Sequence, residues 1–216
     1  MNWLRIFFLL ALVSLRHDLR AGSLAVTVKD AKGAPVSDAV VFARGKGSES
    51  QTAHSKIVID QRDKQFIPYV TALQVGTSVF FANTDNIRHH VYSFSPAKKF
   101  ELPLYSGIPA KPILFDHVGF VTLGCNIHDW MIAYVAVLPT PYFQLTGDAG
   151  RTLLKNLPAG EYTVNVWHPL LKGAPEKYSQ QVTLAANGTP ELVFALDLKP
   201  DFRTKRAPGL STGDYR

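Results

Sequence analysis

Short apolar runs with a period of two dominate the chain. Residues 24–29 alternate Leu24, Val26 and Val28 with Ala25, Thr27 and Lys29, the pattern of a strand with one buried face. Turn formers follow at residues 30–35, and residues 39–43 form a second predicted strand. The two read as a hairpin, which alone is marginally stable in water and needs a partner sheet. Candidates lie far downstream. Asp148-Ala149-Gly150 is a turn, and residues 161–167 are a strand with Tyr162, Val164 and Val166 on one face. Residues 181–184 and 192–196 are further strands, separated by the turn Asn187-Gly188. Between these outer segments the pattern predicts strands at 57–59, 65–68, 112–116, 119–124 and 132–138, and strand-like residues 70–83 broken by a turn at Val75-Gly76. The fold class expected is all-β. Residues 45–55 are polar and rich in Gly and Ser, as a linker would be. Residues 199–216 lack apolar periodicity and read as a disordered tail.

The 216 residues are 46% hydrophobic and 19% charged, which suits a packed globular protein. Arg5 and the apolar run from Ile6 to Leu15 read as an export signal spanning residues 1–21. The run is short for a membrane span. Ala21 is the best last residue of that signal, although Leu19 is larger than usual there; an uncleaved interfacial anchor is the alternative reading. Cleavage would lower the formal charge from +6 to +4, since three basic residues and one acid leave. That balance carries no nucleic-acid message, and no stable membrane span would remain. The expected compartment is the periplasm.

Cys125 is the only cysteine, so an exported chain could form no internal disulfide with it. It opens the stretch Cys125-Asn126-Ile127-His128-Asp129-Trp130-Met131, which also holds the only methionine besides Met1. A thiolate, an imidazole and a thioether three residues apart are soft and borderline donors that suit copper. A second imidazole would complete a set of two His, one Cys and one weak axial Met. Upstream stand His89 and His90, of which strand alternation lets one face a given ion.

These two segments resemble the cupredoxins, most closely the amicyanin and plastocyanin group found among methylamine-utilisation-type proteins. The opening Phe66-Ile67-Pro68 and Val75-Gly76-Thr77-Ser78-Val79 are similar to the cupredoxin opening strands. The resemblance implies one type 1 copper ion held by His89, Cys125, His128 and Met131. His89 follows because His89-His90-Val91 is similar to the family's His-Asn-Val. His90 replaces the Asn that ties the ligand loop, and that role passes to it in this reading; His90 as the ligand stays the alternative. The outer segments, V-T-V-K-D-A-K-G-A-P-V-S-D-A-V-V and D-A-G-R-T-L-L-K-N-L-P-A-G-E-Y-T-V, resemble the carboxypeptidase regulatory-like (prealbumin-like) sandwich. The domains expected are therefore a cupredoxin Greek-key sandwich at 54–139, inserted into a smaller discontinuous sandwich of residues 24–45 and 140–198.

His54, His117 and His168 stand without companions and read as ordinary hydrogen-bonded or exposed histidines; His17 falls in the signal. Lys98 and Lys99 read as a solvated loop. Ile127 and Trp130 flank His128 and would form an apolar docking rim, with Trp130 as ordinary core the alternative. The function expected is single-electron transfer in the periplasm, with a c-type cytochrome or periplasmic dehydrogenase as redox partner. A periplasmic copper carrier or sensor is the alternative. No enzyme is expected, since multi-copper oxidases need several His-x-His pairs and the chain has none.

Overall fold

A computed structural model describes residues 21–46, 48, 55–109 and 111–201. Residues 1–20 of the expected signal, His17, His54 and the tail beyond residue 201 lie outside the described residues.

Among the described residues the chain is all β apart from one 3-10 turn at Pro175–Lys177. In order come β1 (Gly22–Asp30), β2 (Val40–Gly45), β3 (Lys56–Arg62), β4 (Gln65–Ile67), β5 (Val70–Gln74) and β6 (Thr77–Phe81). Then follow β7 (His89–Ser95), β8 (Lys98–Tyr105), β9 (Ile113–Phe115), β10 (Gly119–Gly124) and β11 (Ile132–Leu138). The last are β12 (Phe143–Leu145), β13 (Arg151–Leu157), β14 (Gly160–Trp167), β15 (Ser179–Leu184) and β16 (Glu191–Leu196).

They make four sheets. Two contain only outer strands, in the orders β13-β1-β16 and β12-β2-β14-β15. The other two contain only middle strands, in the orders β5-β11-β10-β7-β8 and β4-β3-β6-β9. The expected β1–β2 hairpin does not form. β1 pairs with β13 and β16, whereas β2 pairs with β12 and β14. The two strands contribute to a common core from different sheets, through Leu24, Val26 and Val28 on one side and Val40, Val41 and Ala43 on the other. The connecting segment instead folds back on the end of β1, through a Lys29–Pro35 bridge and the Val36 N–H on the Val28 carbonyl at 3.1 Å. The turn expected at Val75-Gly76 divides residues 70–83, and the strands on either side of it, β5 and β6, enter different sheets.

β11 explains how the two halves meet. Ala133, Val135 and Val137 enter the core of the middle strands, and Ala136 and Leu138 enter the core of the outer strands. A strand buried on both faces needs a nearly continuous apolar run, which residues 132–138 supply. Phe120 of β10 stacks on Trp167 of β14 at 4.2 Å and 6° across the same junction.

Lys98 and Lys99 open strand β8 and do not lie in a loop. β8 ends its sheet, and its alternation of Lys, Glu and Pro with half-buried apolar residues suits an edge strand. Lys98 Nζ lies 2.8 Å from Asp116 Oδ1.

Candidate metal centre

The site forms where three strands of one sheet end. His89 is the first residue of β7, Cys125 follows the last residue of β10, and Met131 precedes β11. Residues 125–131 form a tight connection in which the Met131 N–H donates to the His128 carbonyl at 3.0 Å. Gly124 allows this turn to lie against β7, because a Cβ there would sit 2.7 Å from the Tyr92 ring.

His89, Cys125 and His128 each offer one donor atom, and these atoms lie within 4.8 Å of one another. Cys125 Sγ is 4.0 Å from His89 Nδ1 and 3.9 Å from His128 Nδ1. Bonds of about 2.0–2.1 Å to nitrogen and about 2.3 Å to sulfur, set at trigonal angles, require a sulfur–nitrogen spacing near ~3.8 Å. Both sulfur–nitrogen sides of the donor triangle thus match the spacing that a shared ion needs. Exposure is 0% for His89, 4% for Cys125 and 8% for His128. Met131 is 2% exposed and belongs to the same apolar cluster as Cys125.

The imidazoles are set by their surroundings. His89 Nε2 lies 2.9 Å from Asp85 Oδ2. An ionised carboxylate only accepts hydrogen bonds, so Nε2 carries the proton and Nδ1 keeps its lone pair toward Cys125. The hydrogen bond from His89 holds the Asp85 carboxyl below its usual range; burial opposes this, and the Lys64 and Asn86 N–H groups add to it. Burial lowers the pKa of His128, helped by the nearby His89 and Lys64 charges and opposed by Asp85. Burial thus favours the neutral form of His128, the form that binds metals.

His90 is not brought to the cluster. A register shift lies between His89 and Val91, and the His90 ring bonds Glu101 Oε1 at 2.8 Å and lies against Tyr92. The loop-tying role expected of it falls to other residues. Asn83 Nδ2 donates to the Ile87 and Tyr105 carbonyls at 3.0 and 2.7 Å, and its Oδ1 accepts from the Asp85 N–H at 3.1 Å. The sequence reading passed over Asn83 and Asp85. The signal was present in the spacing of Asp85 and His89, but a four-residue interval in a loop carries no direction without the fold.

The remaining described histidines stand apart. His117 is largely exposed beside Asp116 at 3.1 Å, and His168 accepts from the Leu170 N–H at 3.1 Å. Around the site Ile127 is 48% exposed, whereas Trp130 is half-buried with its ring 5.0 Å from His128.

No protein-family model matches the chain, and no curated protein does. Solved structures do. The chain is similar to a Cu-containing nitrite reductase from Thermus scotoductus, at 18% identity over 52% of this chain and 28% of that one, with a TM-score of 0.36. It thus spans little more than a quarter of that enzyme. It is similar to a purple cupredoxin from Nitrosopumilus maritimus, at 18% identity over 53% and 98% of the two chains, with a TM-score of 0.31. A reduced Cu(I) form of an amicyanin variant matches at 18% identity over 45% and 98%, with a TM-score of 0.35. The two middle sheets carry the His-Cys-His cluster where strands of one of them end.

Proposed function

We propose that this protein is an exported, periplasmic type 1 copper protein that carries single electrons between redox proteins. The observation that supports this most is the buried triangle of His89 Nδ1, Cys125 Sγ and His128 Nδ1, donors of unlike softness within 4.8 Å. Copper bound there would exchange one electron between its two oxidation states. The chain's own residues hold the donors at one spacing and screen them from water. Met131 would provide the weak axial thioether. Ile127 would contribute apolar surface beside His128 for a brief encounter with a cytochrome or dehydrogenase; such encounters need only small interfaces. Sheet membership supports the domain reading, with a copper sandwich at 54–139 inserted between residues 24–45 and 140–198. No turnover of a small substrate is part of this reading, because electron transfer requires no open coordination position.

The test is an optical spectrum of the purified protein loaded with Cu(II), then reduced and reoxidised. A strong visible band that bleaches and returns supports the electron carrier. A colourless protein that holds copper only as Cu(I) supports the second reading, a copper carrier or sensor using the same donors.

The axial position yields a further expected result. Met131→Gln lowers the reduction potential, because a harder oxygen donor favours Cu(II). About 59 mV corresponds to a tenfold change for one electron, and a fall of at least about that size is expected by voltammetry. An unchanged potential would show that Met131 does not reach the metal.

A further inference from the structure

We propose that the main-chain peptide of Lys64 braces the two histidine-bearing loops against each other. Asp63 and Lys64 form the two-residue turn between β3 and β4, with φ of 54° and 57°, closing the Arg62–Gln65 pair. Both residues in this left-handed conformation define a tight hairpin tip whose central peptide groups are not used by the ladder. The Lys64 N–H donates to Asp85 Oδ2 at 2.9 Å. The same oxygen accepts from His89 Nε2 at 2.9 Å. On its other side the Lys64 carbonyl accepts from Trp130 Nε1 at 3.2 Å, and the Trp130 ring lies 5.0 Å from that of His128.

One residue therefore connects His89, through Asp85, with the His128 loop, through Trp130. The hairpin is itself fixed to the first loop. Thr84 Oγ1 donates to Asp60 Oδ2 at 2.7 Å, and the Gln61 carbonyl accepts from the Thr84 and Asp85 N–H groups at 3.1 Å each. No other strand pairing joins these loops on that side among the described residues, since β3 and β4 belong to the opposite sheet from β7, β10 and β11. Outer contacts of this kind orient metal-binding imidazoles, and their loss typically weakens binding by about 10- to 100-fold. The brace resists separation of the two histidines, so its removal speeds metal release.

The consequence for copper rests on the function proposed above, but the brace itself is measurable without metal. In the metal-free full chain, Asp85→Ala accelerates hydrogen exchange at the Lys64 amide by at least about tenfold, the loss expected for a bond to a charged acceptor. An unchanged exchange rate overturns the brace. In the copper-loaded chain, release to a Cu(I) chelator after reduction speeds up by about 10-fold or more in Asp85→Ala. It speeds up by about 2- to 10-fold in Trp130→Phe, which keeps the ring and removes only the N–H. Because both bonds meet on one residue, the double variant releases copper about as fast as Asp85→Ala alone. Effects that multiply, or no effect of Trp130→Phe, overturn the proposal. Lys64→Asn tolerates the left-handed conformation and keeps the peptide, so it leaves release within about twofold; a change as large as that of Trp130→Phe would assign the effect to the Lys64 charge instead. If the unmodified chain holds no copper, the copper reading fails and the exchange experiment alone decides the brace.

Discussion

Cys125→Ala is expected to leave the copper-loaded protein without the intense visible absorption that the proposed function implies. The colour of such a site arises from charge transfer between a thiolate and Cu(II), and the chain has no second cysteine to replace it. The loss is complete, not graded. His89 and His128 remain, so some Cu(II) still binds, but as a pale site bound by nitrogen and oxygen. Fold is little affected, because a small buried thiol becomes a methyl group in a cluster that includes Leu123, Met131 and Ala133. Absorption and electron paramagnetic resonance spectra check this together. A variant as blue as the unmodified protein would remove Cys125 from the site and end the copper reading.

Gly150→Ala has the largest expected effect on stability. Gly150 has φ of +67°, and a Cβ there would lie 2.4 Å from the Val28 carbonyl oxygen and 2.9 Å from the Val36 nitrogen. These are backbone atoms of β1 and its outgoing turn, so no side chain can swing away. They bond each other, the Val36 N–H donating to the Val28 carbonyl at 3.1 Å, and beside them the Val28 N–H donates to the Gly150 carbonyl at 2.7 Å. The left-handed conformation costs alanine about 1–2 kcal/mol, and displacement of β1 adds to that. A loss of about 3–4 kcal/mol is expected, in the class reserved for backbone and core disruption. For a chain of this size the melting temperature falls by roughly 6–16 °C. Gly33→Ala is the comparison, since Gly33 has φ of +86° and nothing within 4 Å of its added Cβ. It has the conformational cost alone, so thermal unfolding of the two variants separates strain from collision. Equal losses would mean that β1 shifts without cost.

Much of the site chemistry was legible in the sequence because its donors are rare residue types. A single cysteine, one internal methionine and a histidine between them stand out in any reading, and the structure brings Cys125 and His128 to 3.9 Å. The choice between His89 and His90 was not legible from alternation, since either could face inward. The fold turns His89 toward Cys125 and His90 toward Glu101, with a register shift between them. Asp85, Asn83, Lys64 and Trp130 form the supporting shell, and none is unusual in type. Their roles arise from contacts 21 and 66 residues apart in sequence, such as Lys64 with Asp85 and Trp130 with Lys64.

The all-β class was determined by the sequence, because the period of two is a local property of each strand. So were the turns at Asn187-Gly188 and Asp148-Ala149-Gly150, where residue types permit backbone conformations that others resist. Which strands pair was decided only by the tertiary structure. Residues 24–29 and 39–43 look like a hairpin by proximity, yet hydrogen-bond partners depend on which apolar faces can meet, and β1 and β2 bury theirs from different sheets. β8 alternates Phe100, Leu102 and Leu104 with Lys99, Glu101 and Pro103, but Pro103 and two adjacent lysines speak against a strand locally, and its pairing with β7 decides it. Donor identity belongs to the local sequence. Donor spacing and the orientation of each imidazole are long-range properties, and they exist only once the sheets have closed around them.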